Sequence, residues 1–138
     1  MTIESDGLEA LLDEQGRDRV IFQKNVRVRQ GDMALHSDWL EAIYPQRESG
    51  GTSGGNPEKI TARGNVRIER GDSLARCTRA IFEDHFCSAE CVTEGGQAQL
   101  ERRDDRIVAD RIVFNLCTGV LRAEGNVGVR ARPSESAE

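Results

Sequence analysis

The sequence predicts an all-β fold in which short strand repeats stack around one continuous apolar interior. Three observations predict it. A block of alternating apolar residues recurs along the chain, and a second block follows it at a fixed distance. In addition, the apolar alternation shifts by one residue at the same place in each copy, as at a bulge or corner. Since 138 residues is a one-domain length, we expect a single domain over residues 1–138.

The first block is a half-buried strand that carries an Asn. In its first copy, Val20, Phe22, Val26 and Val28 point to one face. The copies span residues 20–28, 60–68 and 121–129, and a degenerate copy spans 92–100. From this pattern we expect strands near 20–29, 60–70, 106–115 and 120–131, and no helix longer than two turns.

The second block ends in a corner residue, namely Asp38, Thr78 or Asp110, and Asp6 ends a further copy at the start of the chain. The offsets from the first block agree, because 38−25, 78−65 and 110−97 are all 13. Thr78 replaces an acid without a change in spacing, which argues against a catalytic or calcium-binding role. We expect these side chains to cap corners through hydrogen bonds to the backbone.

The Asn of the first block is predicted to adopt an unusual backbone angle. Asn65 and Asn126 follow glycine and Asn25 follows Lys24, in strands that must bend at this point. We therefore interpret these Asn residues as structural and not as ligands.

Composition excludes several classes of function. The net charge is −5, and Arg27 and Arg29 alternate around Val28, which places them on an outer face and not in one basic patch. A nucleic-acid partner is not expected.

No segment reaches the roughly 18 apolar residues of a membrane helix, and residues 1–7 are too polar for a signal peptide. Residues 45–58 are predicted to be a flexible surface loop and residues 133–138 a disordered tail.

The four cysteines do not indicate a metal site, because no two of them form a CxxC pair. In an oxidising compartment they allow three pairings, and in a reducing one they would be small buried residues. The count leaves these alternatives open. We expect no metal and no cofactor.

No catalytic residues are predicted, because no nucleophile elbow, phosphate loop or Ser, His and Asp arrangement is visible. Both histidines, His36 and His85, fall in segments assigned to an outer face or a turn. Three classes of function compete: lipid carriage, a non-catalytic β-solenoid module that adds strands to partners at its open ends, and an enzyme. The enzyme is the least supported.

The chain resembles the LptA/OstA-like family of periplasmic lipopolysaccharide-transport proteins. The resemblance covers nearly the whole chain and rests on residues 3–6, 20–31 and 35–38 and on the Gly-Asn-Val repeats at 64–66 and 125–127. Their order and spacing carry it, since Gly-Asn-Val alone is a weak signal. The chain departs from the family pattern at Lys24, which stands where glycine is usual, in the degenerate block and in its four cysteines.

The resemblance implies an open, twisted jellyroll of antiparallel strands, folded like a taco, whose apolar slot receives lipopolysaccharide acyl chains. It also implies the periplasm, with any signal peptide outside this sequence, and head-to-tail stacking with itself and with same-fold transport proteins at both membranes. The sequence shows neither the anchor helix nor the barrel strands of the other same-fold components, so we expect the soluble bridge protein. A soluble piece of such a component is the alternative.

The alternation and the resemblance together predict the binding residues. Those expected to line the slot are Phe22, Val26, Val28, Leu35, Val66, Ile68, Ile107, Ile112, Phe114 and Val127. Those expected at the open edges of the stack are Ile3 and Leu8 in the first rung and Leu121 and Val129 in the last. Small inward residues such as Ala62, Gly64, Ala75 and Ala80 are expected to leave room inside.

Overall fold

The structure is a computed structural model, and it describes residues 1–12, 14, 16–45, 57–83 and 86–131. These residues form one sheet of twelve antiparallel strands, so the predicted all-β class is confirmed. The strands are β1 (Thr2–Glu4), β2 (Gly7–Leu12), β3 (Asp18–Gln30), β4 (Met33–Ile43), β5 (Lys59–Arg70), β6 (Ser73–Glu83), β7 (Ser88–Val92), β8 (Ala98–Arg102), β9 (Asp105–Ala109), β10 (Arg111–Asn115), β11 (Leu121–Glu124) and β12 (Gly128–Ala131).

The sheet folds along a line that crosses the middle of its long strands. Strand β3 pairs with β2 through its first half and with β1 through its second, and β6 pairs with β8 and then with β7 in the same way. We call the half that holds β2, β7, β10 and β11 the first wall, and the half that holds β1, β8, β9 and β12 the second wall. The walls face each other, since β10 contacts β8 and β11 contacts β9.

The fold line, which we call the crease, is built from bulges at the predicted corners. The registers shift between Gln23 and Val26, between His36 and Trp39, and between Arg63 and Val66. At the Gly-Asn positions two consecutive residues are left-handed, with φ of 83° and 48° at Gly64 and Asn65. Lys24 adopts the same conformation at 67°, so its departure from glycine leaves the bend in place. The predicted unusual backbone at these Asn residues is confirmed.

Hydrogen bonds between side chains follow the crease from strand to strand. The Nδ2 amide of each Asn donates to a carboxylate oxygen of an earlier Asp: Asn25 to Asp6 at 2.7 Å, Asn65 to Asp38 at 2.9 Å, and Asn126 to Asp110 at 2.9 Å. The expectation that these Asp side chains bond to backbone is therefore corrected, because the bulge turns each Asn side chain toward the carboxylate.

Thr78 is the exception along the crease, and it does bond to backbone. Its hydroxyl accepts from the amide of Glu94 at 2.9 Å. Here the degenerate block does not form a bulged strand, since β7 ends at Val92 and β8 begins at Ala98. A short turn replaces the bulge, and Thr78 binds the turn.

The predicted strands near 20–29 and 60–70 are confirmed as β3 and β5. The two predicted C-terminal strands are each divided, into β9 and β10 at Asp110 and into β11 and β12 at residues 125–127. Both interruptions lie on the crease, so the corner that bends the longer strands breaks these shorter ones. None of the residues that the structure describes forms an α-helix, and no helix there could cross a membrane.

Two disulfides connect the cysteines. Cys77 of the second wall bonds to Cys91 of the first, and Cys87 bonds to Cys117. Of the alternatives left open, the structure thus has one pairing of the oxidised form. The first bond joins the two walls within the buried core.

Some predictions fall outside the described residues. They are the tail at 133–138, His85, and most of the loop at 45–58, of which only residues 45, 57 and 58 are described.

Candidate functional site

The space between the walls is lined by rows of inward-facing side chains that run across the strands. In the second wall, the row beside the crease contains Val26, Ser37, Val66 and Cys77. The next row contains Val28, Leu35, Ile68, Ala75, Leu100 and Ile107, with Ile3 at one end and Val129 at the other. The registers therefore produce a continuous apolar lining along the stack.

The first wall contributes two matching rows. Beside the crease lie Leu8, Phe22, Leu40, Ala62, Ala80, Cys91, Ile112 and Ala123. Farther out lie Ala10, Val20, Ala42, Ile60, Phe82, Ala89, Phe114 and Leu121. These rows contain no charged residue. Among the residues that the structure describes, Ser37 and Thr61 are the buried polar ones, and Arg19 and Arg79, which stand outside these rows, are half-buried with buried Nε atoms.

Nine of the ten predicted slot residues lie in this lining. Seven are buried, and Ile107 and Phe114 are half-buried against the same core. The buried ones are Phe22, Val26, Val28, Leu35, Val66, Ile68 and Ile112. Val127 lies instead in the break between β11 and β12 and is 50% exposed. The structure thus brings nine together and places Val127 outside the buried cluster.

The small inward residues do not leave room at the crease. Ala62 and Ala80 are fully buried and allow close approach of the walls. Gly64 does not point inward, because a Cβ atom there would lie 2.8 Å from Oδ2 of Asp38. Room for a ligand lies at the opposite side of the slot.

The slot opens at a cleft of about 350 Å³, which we call the mouth. The hairpin turns of the second wall form one side, and the segment from Asn115 to Leu121 forms the other. Its apolar lining residues are Ile68, Ala75, Ala89, Leu100, Phe114, Leu116, Val120 and Leu121, and its charged ones are Asp32, Arg70, Asp72, Arg102 and Arg103.

Sequence reasoning missed the mouth. Leu116 and Val120 lie outside the repeated blocks, so no alternation indicated them. Nothing in the sequence at first sight distinguished Arg70 and Arg102 from the arginines on the outer face. Each of them nevertheless lies two residues after an inward-facing residue, Ile68 or Leu100, and so shares its face of the strand. That spacing was the available signal.

Two ion pairs lie at the mouth. Arg70 Nε lies 3.5 Å from Asp32 Oδ1, and Arg103 Nε lies 3.7 Å from Asp72 Oδ2.

Tyr44, which follows β4 and packs against the core, is half-buried, and this burial raises the pKa of its phenol. The phenol is therefore neutral at pH 7.

The first and last rungs of the stack are open edges. Strands β1 and β2 pair only with β3, while β11 pairs only with β10 and β12 only with β9 within the described chain. Leu8 and Val129, predicted as edge residues, are 64% and 66% exposed, whereas Ile3 and Leu121 are half-buried. The large exposed apolar residues of the described ranges all fall near these rungs: Met1, Leu8, Leu11, Leu12, Val120, Val127 and Val129.

Fold and site together define a class of protein: an open antiparallel jellyroll, folded on itself around an apolar slot, with an unpaired rung at each end of the strands that the structure describes. The chain belongs to the family described as LptA/(LptD N-terminal domain) LPS transport protein, whose model matches residues 2–120. The family identified from the repeated blocks is thereby confirmed.

Two known proteins illustrate the relationship. The chain is 34% identical over 91 residues to the LPS-assembly protein LptD of Nitrosomonas europaea, a match that covers 66% of this chain and 12% of that protein. Its fold is similar to the crystal structure of LptH from Pseudomonas aeruginosa, described as the LptA homologous periplasmic component of the conserved lipopolysaccharide transport device. The TM-score is 0.73 at 15% identity, over 96% of this chain and 94% of that one.

Proposed function

We propose that this chain binds the acyl chains of lipopolysaccharide in its apolar slot and carries the lipid across the periplasm, from inner to outer membrane, as part of a head-to-tail protein bridge. One observation carries the proposal: the apolar lining continues to both end rungs, where Leu8 at one end and Val129 at the other are exposed. Such a lining can continue into the next copy.

The energetics suit transport. Each acyl methylene that leaves water contributes about 0.8 kcal/mol, so ten of them contribute about 8 kcal/mol before the costs of association. The apolar lining holds no buried charge among the described residues, so no specific polar bond holds the acyl chains in place. Acyl-chain binding by desolvation is compatible with passage from one slot to the next.

The geometry of the ends supports stacking. The last rung offers β11 in the first wall and β12 in the second, and the first rung offers β2 and β1 in the same walls. A contact between these different edges is heterologous, so it propagates and does not close as a two-fold dimer does. The slots of successive copies would then be in line.

The disulfides support an oxidising compartment such as the periplasm, since structural disulfides are rare where thiols are kept reduced.

Two measurements test lipid carriage. Lipids that copurify with the chain from its own cell are identified by mass spectrometry, and lipopolysaccharide is expected. A photo-crosslinker at Phe114, which lines the mouth, should label lipid more than one at Val113, on the opposite face of β10. A repeatedly empty slot with equal labelling would leave the non-catalytic β-solenoid module as the better account.

A second candidate follows from the likeness to LptD. The match covers 12% of that protein's length, so the chain is also compatible with the periplasmic part of a larger transport component. Photo-crosslinkers at Leu8 and Val129 in living cells separate the two. A bridge protein should crosslink to same-fold partners from both ends, and a terminal component from one end only.

A further inference from the structure

We propose that Arg70, Ser73 and Arg102 form an anion-binding subsite at the mouth, which holds a phosphate group of the lipid whose acyl chains occupy the slot. This inference rests on the proposed function and names the headgroup chemistry that the slot selects. It assigns a role to two arginines that are set apart from the others by the register of the sheet.

The register places these three residues in one cross-strand row. Arg70 on β5 is opposite Ser73 on β6, and Ser73 is opposite Arg102 on β8. Since neighbouring strands lie about 4.8 Å apart, the two arginine backbones are roughly 10 Å apart. Long guanidinium side chains can converge over that distance on one anion.

The row faces the slot and not the outer surface. Arg70 and Arg102 lie two residues beyond Ile68 and Leu100, and Ser73 lies two before Ala75, so each shares its strand face with a slot residue. All three line the mouth. Each of the three strands thus changes from apolar to polar as it leaves the slot.

Arg70 already spans the mouth. Its Nη1 donates to the backbone carbonyl of Leu116 on the opposite side at 3.3 Å, and its Nε lies 3.5 Å from Asp32. A phosphate would replace the neutral carbonyl by a charged acceptor, and charge-assisted hydrogen bonds are roughly twice as strong as neutral ones. Headgroup binding therefore favours loss of the hydrogen bond between Arg70 and the Leu116 carbonyl, and the mouth becomes wider.

Arg102 is available to a ligand. Its guanidinium forms no hydrogen bond or ion pair with any residue in the described part of the chain, and it lines the mouth together with apolar side chains. A planar guanidinium matches the oxygens of a phosphate. An acyl lipid with a phosphorylated headgroup is therefore the occupant whose apolar and anionic parts fit the two parts of the mouth.

The test compares diphosphoryl lipid A with the same lipid after removal of its phosphates. Binding to the full chain is measured by isothermal titration calorimetry at low and high salt. The wild-type chain should bind the phosphorylated lipid about tenfold more tightly, and salt should reduce that difference. The double variant Arg70→Gln with Arg102→Gln should lose most of the preference and keep its affinity for the dephosphorylated lipid.

Arg76→Gln is the matched control, because Arg76 lies on the outward face of β6 and is exposed. It should keep the full preference. Equal wild-type affinity for the two lipids, or a preference that persists in the double variant, would overturn the subsite and leave the proposed function standing. Binding of neither lipid would remove the proposed function and the subsite with it. Should the double variant not fold, the salt dependence of the wild-type preference decides alone, and its absence refutes the subsite.

Discussion

The side-chain amide of Asn65 donates a 2.9 Å hydrogen bond to the carboxylate of Asp38, although 27 residues separate the two in the chain. The same bond recurs between Asn25 and Asp6 and between Asn126 and Asp110. Each of these bonds joins, at the crease, a repeat to an earlier one. The crease, the disulfides and the end rungs can each be tested by substitution.

Replacement of Gly64 by alanine should destabilise the fold by more than the strain of its φ of 83°, because the new Cβ would lie 2.8 Å from Asp38 Oδ2. Gly71 also has positive φ, but no atom lies within 4 Å of the place that an alanine methyl would take, so Gly71→Ala should cost about 1 kcal/mol from strain alone. We expect Gly64→Ala to cost about 2 to 4 kcal/mol in urea unfolding. Equal losses for the two variants would show that the crease tolerates the contact.

Asn65→Asp should destabilise the chain at neutral pH, because an acceptor replaces the donor opposite the Asp38 carboxylate. We expect a loss of about 1 to 3 kcal/mol. The two facing carboxylates repel each other in the variant, and protonation of either one relieves the repulsion. The loss should therefore shrink as the pH falls toward about 4.

Asn115→Asp is the control for this change. The Asn115 side-chain oxygen accepts from the amides of Cys117 and Thr118, each at 3.0 Å, and a carboxylate can do the same. Unfolding free energies measured for both variants between about pH 4 and 8 check the prediction. A pH-independent loss at Asn65 would argue against the charge explanation.

Removal of the disulfide between Cys77 and Cys91 should lower stability by about 2 to 4 kcal/mol, since the bond closes a loop with a sequence separation of 14 and joins the two walls. The double variant Cys77→Ala with Cys91→Ala is compared with the double variant Cys87→Ala with Cys117→Ala by thermal unfolding.

The two disulfides should also differ in how readily they are reduced. Because Cys117 is exposed and Cys91 is buried, dithiothreitol should reduce the bond between Cys87 and Cys117 before the bond between Cys77 and Cys91. Mass spectrometry of alkylated thiols gives the order, and the reverse order would contradict the burial argument.

Stacking should depend on exposed apolar residues at both end rungs. Leu8→Lys and Val129→Lys each place a charge in one end and leave the other intact. In light scattering, each variant alone should remain monomeric, and their mixture should form dimers that grow no further, as a heterologous contact requires.

Glu9→Lys is the control, since Glu9 lies on the opposite face of β2 from Leu8. It should stack like the wild-type chain. Symmetric dimers from either end variant alone would contradict head-to-tail assembly and leave carriage by a diffusing monomer as the better mechanism.

The repeats were predictable because each copy obeys two local rules. Alternation of apolar residues assigns faces to strands such as β3 and β5, and the shared one-residue shift locates the bend at Asp38 and Asp110. Both rules act over a few neighbouring residues, which is why the all-β class, the corners and the inward direction of nine of the ten residues expected to line the slot could be derived. Val127 was assigned by the same alternation, but the crease interrupts its strand, and the alternation no longer applies there.

The sequence by itself determined the all-β class, the strands of the regular repeats such as β3 and β5, the face that most of their residues take and the positions of the bends, since these follow from side-chain chemistry over short distances. Tertiary structure alone decided which residues meet across the chain. The partner of each crease Asp, the pairing of Cys77 with Cys91, and the placement of Arg70 and Arg102 in one row at the mouth all depend on how distant strands pair in register. Pairing of distant strands is a property of the whole sheet, so no local pattern contains it.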